Sequence, residues 1–404
     1  MKKILCACTI LLLTICLCAC GNSPVGTPAV SETTVESVEV PSVEIPPDAI
    51  TLSVSFGPEF EIVMTDYLRI LTVVPANSQA QALLEGLALT DRCYLFAFGE
   101  VLAAARDQDL LKVGVTLKME AESQDTTVWN NATKELLMRP VEAFRAESGL
   151  LFSCYTMLPD AAEPLDLSQY TRVERTTEEF HQVSYPTGAV SGHTAWRSVW
   201  TYPDGRTMEW YAFSIREGSA TISTEPGGRR EFSINTGTEH NLIWEGPESS
   251  GYQESFGSVN PNDGNFVRES SSGFFSDNGG FYFTQTYNTG GALVSQTAEF
   301  LDGSREAVCF FENGEISTRE YTGADGSYES VAFFENGQVR HRINESAEGY
   351  YEEQFTQDGA YVYRKFADAG MTNVREVFYT DGQPVKAILD GVVHEDRATL
   401  SLFG

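Results

Sequence analysis

From Ile50 onward apolar and polar residues alternate: Ile50, Leu52, Val54 and Phe56 are separated by Thr51, Ser53 and Ser55, the pattern of a strand with one face in a core. Gly57-Pro58 breaks the alternation, and Phe60, Ile62 and Met64 resume it before a third apolar segment, Leu68 to Val74, closed by Pro75. The period then changes. Asn77 or Ser78 is placed to cap a short helix carrying Leu83 and Leu84, and Thr90 or Asp91 a longer one with Leu95, Phe98, Val101, Leu102 and Ala105 on one face. Lys112 to Ala121 alternates again. Thr126 to Ser148 has helical spacing through Trp129, Leu136, Leu137, Val141 and Phe144, with Pro140 expected to kink or split the helix and Gly149 to end it. Leu150 to Leu158 is the closing strand. The order βββααβαβ predicts an α+β domain over 48–160.

After a connector with scattered charge, 161–187, helical spacing disappears and turn pairs take over. Asn313-Gly314, Asn336-Gly337, Asp358-Gly359 and Asp381-Gly382 recur at intervals of 23, 22 and 23 residues, and Asp302-Gly303, Asp325-Gly326, Glu348-Gly349 and Ala369-Gly370 fall between them. Asn-Gly and Asp-Gly are favoured in type I′ turns, where both central residues need positive φ. A turn at every eleventh or twelfth residue leaves strands of about seven, so 188–398 is predicted as an all-β antiparallel hairpin-repeat sheet following the α+β domain. Aromatics keep register with the turns. Tyr287, Phe310, Phe333, Phe355 and Phe378 form one column, and Phe311, Phe334 and Tyr379 form the next, which a period of two sends to the opposite face. These eight are the candidate ligand contacts. Whether the repeats curl into a barrel, extend as one sheet or pack on the first domain stays open.

Two resemblances follow from these residues. Ser53 to Ile62, Arg69-Ile70-Leu71 to Asn77 and Ala82-Leu83-Leu84-Glu85-Gly86, with the strand, helix, strand order from Lys112 to Leu158, resemble the extracellular α/β domain of RsgI-type anti-sigma factors. Many members of that family have Asn-Pro in the first turn, where the Asn side chain can cleave the backbone. Gly57 stands before Pro58 here, so self-cleavage is not implied. The aromatic-x-Asn/Asp-Gly element from Thr286 to Val385 resembles MORN-variant repeats, more loosely from Thr201 to Gly280.

The N-terminus adds a location. Lys2 and Lys3 precede an apolar run from Ile4 to Leu17 that ends in Leu17-Cys18-Ala19-Cys20-Gly21. The run is short for a membrane span and suits a signal-peptide core, and its end resembles the lipobox of bacterial lipoproteins. Residues 1–20 are thus expected to be a lipoprotein signal peptide with Cys20 as the lipid attachment site, placing the chain outside the cytoplasm and anchored to the cell membrane. Residues 21–47, rich in Ser, Thr, Pro, Val and Glu, are expected to be a disordered tether. Relatives of the RsgI type carry a sigma-binding domain and a transmembrane helix in that place, so direct sigma-factor binding is not implied. The formal charge of −30, two units more negative once Lys2 and Lys3 are removed, opposes nucleic acid as a partner. Cys93, Cys154 and Cys309 remain after processing. Three cysteines make no disulfide framework, although Cys93 and Cys154 could pair; buried free thiols are the expectation.

The five histidines, His181, His193, His240, His341 and His394, form no HExxH or HxH cluster. No G-x-S-x-G elbow, P-loop or GxGxxG loop is present. Asn260 to Asn265 lacks the acidic spacing of an EF-hand and is expected to be a polar loop. No catalytic residue, metal or cofactor is therefore expected. The chain is expected to be a non-catalytic binding or interaction module for an envelope polysaccharide or protein. An accessory in anti-sigma-type signalling and a glycan or cell-wall hydrolase are the alternatives.

Overall fold

The computed structural model describes residues 45–125, 131–158, 171–190, 193–213, 218–260, 265–276 and 279–403. The expected signal peptide, Cys20, most of the tether, Trp129 and the centre of the Asn260 to Asn265 loop lie outside these residues.

The first unit has the order βββααβαβ. Strands β1 (Ile50–Ser55), β2 (Glu59–Met64) and β3 (Ile70–Pro75) form an antiparallel meander, and β4 (Thr116–Ser123) pairs with the other side of β1. Strand β5 (Ser153–Met157) runs parallel to β4 at the edge, which requires a crossover. Helix α3 (Asn131–Ser148) supplies it. The sheet order is β3-β2-β1-β4-β5. Ile50, Leu52 and Val54 of β1 and Leu117, Met119 and Ala121 of β4 are buried with Phe98, Val101, Leu102 and Ala105 of α2 (Tyr94–Asp107) and Leu137 and Val141 of α3. Asn77 caps α1 (Ser78–Leu84), its side chain accepting from Ala80 N–H at 2.8 Å.

Local details depart from expectation for physical reasons. Helix α2 starts at Cys93 rather than at a Thr90 or Asp91 cap. Residues 91–93 continue the pairing of β3: Asp91 N–H donates to the Ile70 carbonyl and Ile70 N–H to that of Arg92, while Asp91 sits at φ +62° with its carboxylate on Arg69 at 2.7 Å. Helix α3 is continuous through Pro140. The proline removes the donor to the Leu136 carbonyl, and the buried Tyr94 hydroxyl donates to the adjacent Leu137 carbonyl at 2.9 Å. Val113 is 73% exposed and precedes β4.

The second unit has twenty strands, each antiparallel to the next in the chain. They are β6 (Val173–Thr176), β7 (His181–Val190), β8 (His193–Thr201), β9 (Thr207–Phe213), β10 (Gly218–Thr224), β11 (Arg230–Asn235) and β12 (Glu239–Glu245). Then come β13 (Ser250–Val259), β14 (Phe266–Phe275), β15 (Phe281–Tyr287), β16 (Leu293–Phe300), β17 (Arg305–Phe310), β18 (Ile316–Thr322) and β19 (Tyr328–Phe333). The last are β20 (Val339–Ser346), β21 (Gly349–Phe355), β22 (Tyr361–Asp368), β23 (Arg375–Thr380), β24 (Gln383–Leu389) and β25 (Val392–His394). Strand order closes the set, β25 following round to β6. That seam joins the two shortest strands, with Val173, Val392 and Val393 more than half exposed, so the cohesion of the sheet rests on the consecutive hairpin pairs. The sheet also begins inside the segment expected to be a connector. All four residues of β6 are exposed, so no alternation marks it in the sequence.

The two units pack together. Tyr211, Ile222, Phe232, Ile243 and Tyr252 of β9–β13 share one buried cluster with the first domain. Guanidinium groups join the units around this apolar contact. Arg69 meets Glu254 at 2.6 Å and stacks on Tyr252; Arg92 meets Glu245 at 2.6 Å, which Arg230 also reaches at 3.2 Å. Arg197 bridges Glu135 at 3.1 Å and Glu209 at 3.2 Å, and Arg139 also pairs with Glu209. Buried charges persist when paired and hydrogen-bonded in this way. The sheet face bearing Tyr211, Ile222 and Tyr252 is therefore the docking face. The opposite, far face is not used by these contacts.

Candidate ligand-binding face

The repeat turns set what the far face displays. Phe311 N–H donates to the Glu315 carbonyl at 2.8 Å and Gly314 N–H to that of Phe311 at 2.9 Å, while Gly314 sits at φ +85°. Asn313 has no positive φ; its side-chain oxygen accepts from Glu315 N–H at 3.0 Å. This is a type I turn followed by a left-handed glycine, not the expected type I′ turn. Asp302-Gly303, Asp325-Gly326, Asn336-Gly337 and Asp358-Gly359 repeat it. Among the Asn-Gly and Asp-Gly pairs of the described residues, Asp381-Gly382 and Asp390-Gly391 alone have positive φ at both positions, as type I′ requires.

Beside four of these turns, and beside the turn at Gly290-Gly291, the register slips by one residue, at Phe310, Phe333, Phe355 and Tyr379 and at Tyr287. The extra residue lies on the following strand, so alternation on the aromatic-bearing strand is undisturbed. Opposed pairs Tyr287 and Leu293, Phe310 and Ile316, Phe333 and Val339, Phe355 and Tyr361, and Tyr379 and Pro384 therefore line up across β15–β24. Phe355, Tyr361 and Tyr379 are in ring contact at 5.0 and 5.5 Å. An aromatic stripe thus runs along the far face.

A second row lies beside it. Successive partners are Gln285, Gln296, Val308, Arg319, Val331, Arg342, Glu353, Arg364, Val377 and Ala387. It opens with a side-chain ladder, Ser271 to Gln285 at 3.0 Å and Gln285 to Gln296 at 2.8 Å. It continues with an arginine on every second strand. Where Val stands in the neighbouring repeats, β21 has Glu353, 2% exposed, whose carboxylate accepts from Arg364 Nε at 3.1 Å. Arg364 stacks on Tyr361 and Phe366 at 4.6 and 4.9 Å. Burial, together with a hydrogen bond to Glu353, pushes the Tyr351 phenol up. Toward β12–β15 the far face carries a tighter aromatic group: Trp244 and Phe283 flank Phe275 at 4.9 Å each, above Gly251 and Gly273.

Two cavities open on this face. One of about 220 Å³ is lined by Arg319, Tyr321, Glu329, Phe333, Val339 and Arg342. The other, about 500 Å³, lies between Arg364, Phe366 and Arg375 and the C-terminal residues Leu402 and Phe403. Such an arrangement offers flat apolar surfaces with fixed charge beside them, suited to holding a ligand with apolar faces and polar edges. Among the described residues no cluster of His, Cys, Asp and Glu is set to hold a metal ion, and no helix is long and apolar enough to cross a membrane.

Of the candidate aromatics, Tyr287, Phe310, Phe333 and Phe355 lie in the far-face stripe and are half-buried. Phe378 does not join them: it meets Tyr363 at 5.1 Å and Lys386 on the other face. Tyr379 takes its place, because the two-residue turn at Asp381-Gly382 is one residue shorter than the others. It is 8% exposed under the C-terminal turn α4 (Arg397–Leu400), its hydroxyl donating to the Phe403 carbonyl at 3.1 Å, and so is removed from the ligand contacts. Phe311 and Phe334 open their turns and are half-buried. Cys93, Cys154 and Cys309 are free, but Cys309 is exposed rather than buried and Cys154 is partly so. Arg319, Arg342, Arg364 and Glu353 join the site without being marked by the aromatic columns. Their signal was present: Gln296, Arg319, Arg342 and Arg364 follow one another at 23, 23 and 22 residues, the period of the turns. Compared with family models and with curated proteins, the chain matches none.

Proposed function

We propose that the protein is a surface-anchored, non-catalytic binding module, held at the membrane through lipid on Cys20, whose hairpin-repeat sheet recognises a polysaccharide. The observation that carries this is the far face of β15–β22: half-buried aromatics at one repeat period beside a row of arginines and carboxylates. Sugars present apolar C–H faces that stack on aromatic rings and hydroxyl edges that take directed hydrogen bonds. A periodic protein surface also suits a periodic polymer. The α+β domain then acts as a docked spacer, which fits its ion-paired attachment to the docking face. The expected result is retention of the purified protein by wall or envelope glycans, weakened at least about tenfold by the double substitution Phe310→Ala and Phe333→Ala, a loss of 1.4 kcal/mol. Equal retention of wild type and double variant would refute the role of the stripe. A Cys20→Ala variant should move the protein from the membrane fraction to the soluble one.

One observation favours a second reading, an accessory in RsgI-type signalling. Among the described residues, edge strand β5 pairs only with β4 and leaves Tyr155 and Met157 56% and 49% exposed, an edge to which a strand from a similar domain can add. A change in a sigma-factor regulon on deletion, reproduced by Tyr155→Lys alone, would select this reading over the first.

A further inference from the structure

Arg342 is the exception among the three arginines of the row, Arg319, Arg342 and Arg364. Arg319 pairs with Glu306 at 2.6 Å and Arg364 with Glu353 at 3.1 Å. Arg342 stands directly opposite Glu353 on the neighbouring strand, but that carboxylate is turned to Arg364. Among the described residues Arg342 makes no ion pair and no hydrogen bond, and its Nε is buried without a partner. In a chain with 57 acidic and 27 basic residues, a half-buried guanidinium without a carboxylate is conspicuous, because placing charge out of water without a partner is unfavourable. It lines the cavity of about 220 Å³, whose mouth also carries Arg319, 56% exposed.

We infer that this cavity is a subsite for an acidic sugar, with Arg342 as the group that takes its carboxylate. The inference rests on the polysaccharide reading of the far face and adds the chemistry of the ligand. The planar guanidinium matches a carboxylate through paired N–H donors. Phe333 and Val339 offer the apolar wall on which a sugar ring lies, while Tyr321 and Glu329 are placed at its hydroxyl edge. Glu329, without an ion pair or hydrogen bond among the described residues, accepts from hydroxyls and repels a second carboxylate. The site therefore admits one acid group per sugar and orients it toward Arg342.

The test uses the purified protein and three probes: an oligogalacturonate, its methyl ester and a neutral maltooligosaccharide, each titrated calorimetrically. The acid should bind and weaken steeply with added salt, and the ester should bind at least about tenfold more weakly. Arg342→Met should impose the same loss on the acid and leave the ester unchanged, and Arg342→Lys should recover part of it. Arg305→Met, on the opposite face and 69% exposed, should change nothing. Equal binding of acid and ester, or unchanged binding in Arg342→Met with an unaltered unfolding midpoint, overturns the inference. Binding of the neutral probe alone, sensitive to Phe333→Ala, overturns it while leaving the polysaccharide reading intact. Binding of none of the three overturns this inference, and failure on wall glycans as well removes the reading beneath it.

Discussion

Glu353 and Arg364 should respond unequally to substitution, and the inequality follows from their burial. Glu353 is 2% exposed and replaces the valine of adjacent repeats, whereas the Arg364 side chain is 26% exposed and stacked between two rings. Arg364→Met strands a carboxylate out of water, and breaking a buried pair from that side costs about 3–5 kcal/mol. Glu353→Val leaves a guanidinium that already reaches solvent and restores the apolar row, so its cost is about 1–2 kcal/mol after the gain of a buried valine. The double variant, with Val and Met side by side, should lose about 1 kcal/mol or less. The cycle then gives a coupling of at least about 3 kcal/mol. Strands β20–β23 pair with their neighbours in sequence, so the loss should be local. Amide exchange of β20–β23 is the decisive measurement, with urea unfolding followed by far-ultraviolet circular dichroism beside it. Additive single effects, or a larger loss in Glu353→Val than in Arg364→Met, would refute the reasoning.

Three further outcomes are expected. A Cβ added in Gly273→Ala would run into the Tyr252 carbonyl and come within 2.8 Å of the Phe283 ring, so the variant should lose about 1–3 kcal/mol and lower the melting temperature; an unchanged melting curve would contradict the packing described. His240 has its pKa pushed below the ordinary value by burial, with Arg268 adding to the effect. The unfolded chain therefore binds the proton more readily in that window, and stability should fall as pH drops below about 6.5; His240→Gln should flatten this slope, and an identical slope in the variant would exclude His240 as its source. Ellman's reagent should titrate exposed Cys309 in the native protein, while Cys93, fully buried with its thiol pushed up by burial, should react only on unfolding. Fast reaction of Cys93 in the native state would show that α2 does not pack as described.

What could be read in advance divides along the range of the interactions. Alternation at Ile50 to Phe56 and the turn pairs from Asp302 to Gly382 specify strands and hairpins because burial and positive φ act within a few residues. The bulges are not written at the bulged positions: the slip beside Phe310 inserts Ser317 on the next strand, and nothing in that residue announces it. The shorter turn at Asp381-Gly382 places Tyr379, not Phe378, on the far face. Strand β6 exposes every side chain and leaves no period to detect. The docking contacts join residues far apart in the chain, 153 positions for Arg92 and Glu245 and 185 for Arg69 and Glu254, beyond any local pattern. The arginine row differs: its period equals that of the turns, so it is legible in the sequence.

The row also limits how much of an acidic polymer the far face can hold. Adjacent strands lie about 4.8 Å apart, so Arg319 and Arg342, two strands from one another, are separated by about 10 Å. A chain with acid groups at that interval can meet Arg342 and the terminal N–H groups of Arg319, whose Nε is held by Glu306, and linking the two contacts raises affinity without any new kind of interaction. Beyond Arg342 the next position is Glu353, already committed to Arg364, so a further carboxylate meets like charge instead of a partner. Affinity for oligogalacturonates should therefore rise with length until the chain spans Arg319 to Arg342, then level off. In Glu353→Val the freed Arg364 extends the row, and the plateau should move to longer chains. A plateau at the same length in wild type and Glu353→Val would show that something other than this carboxylate ends the site.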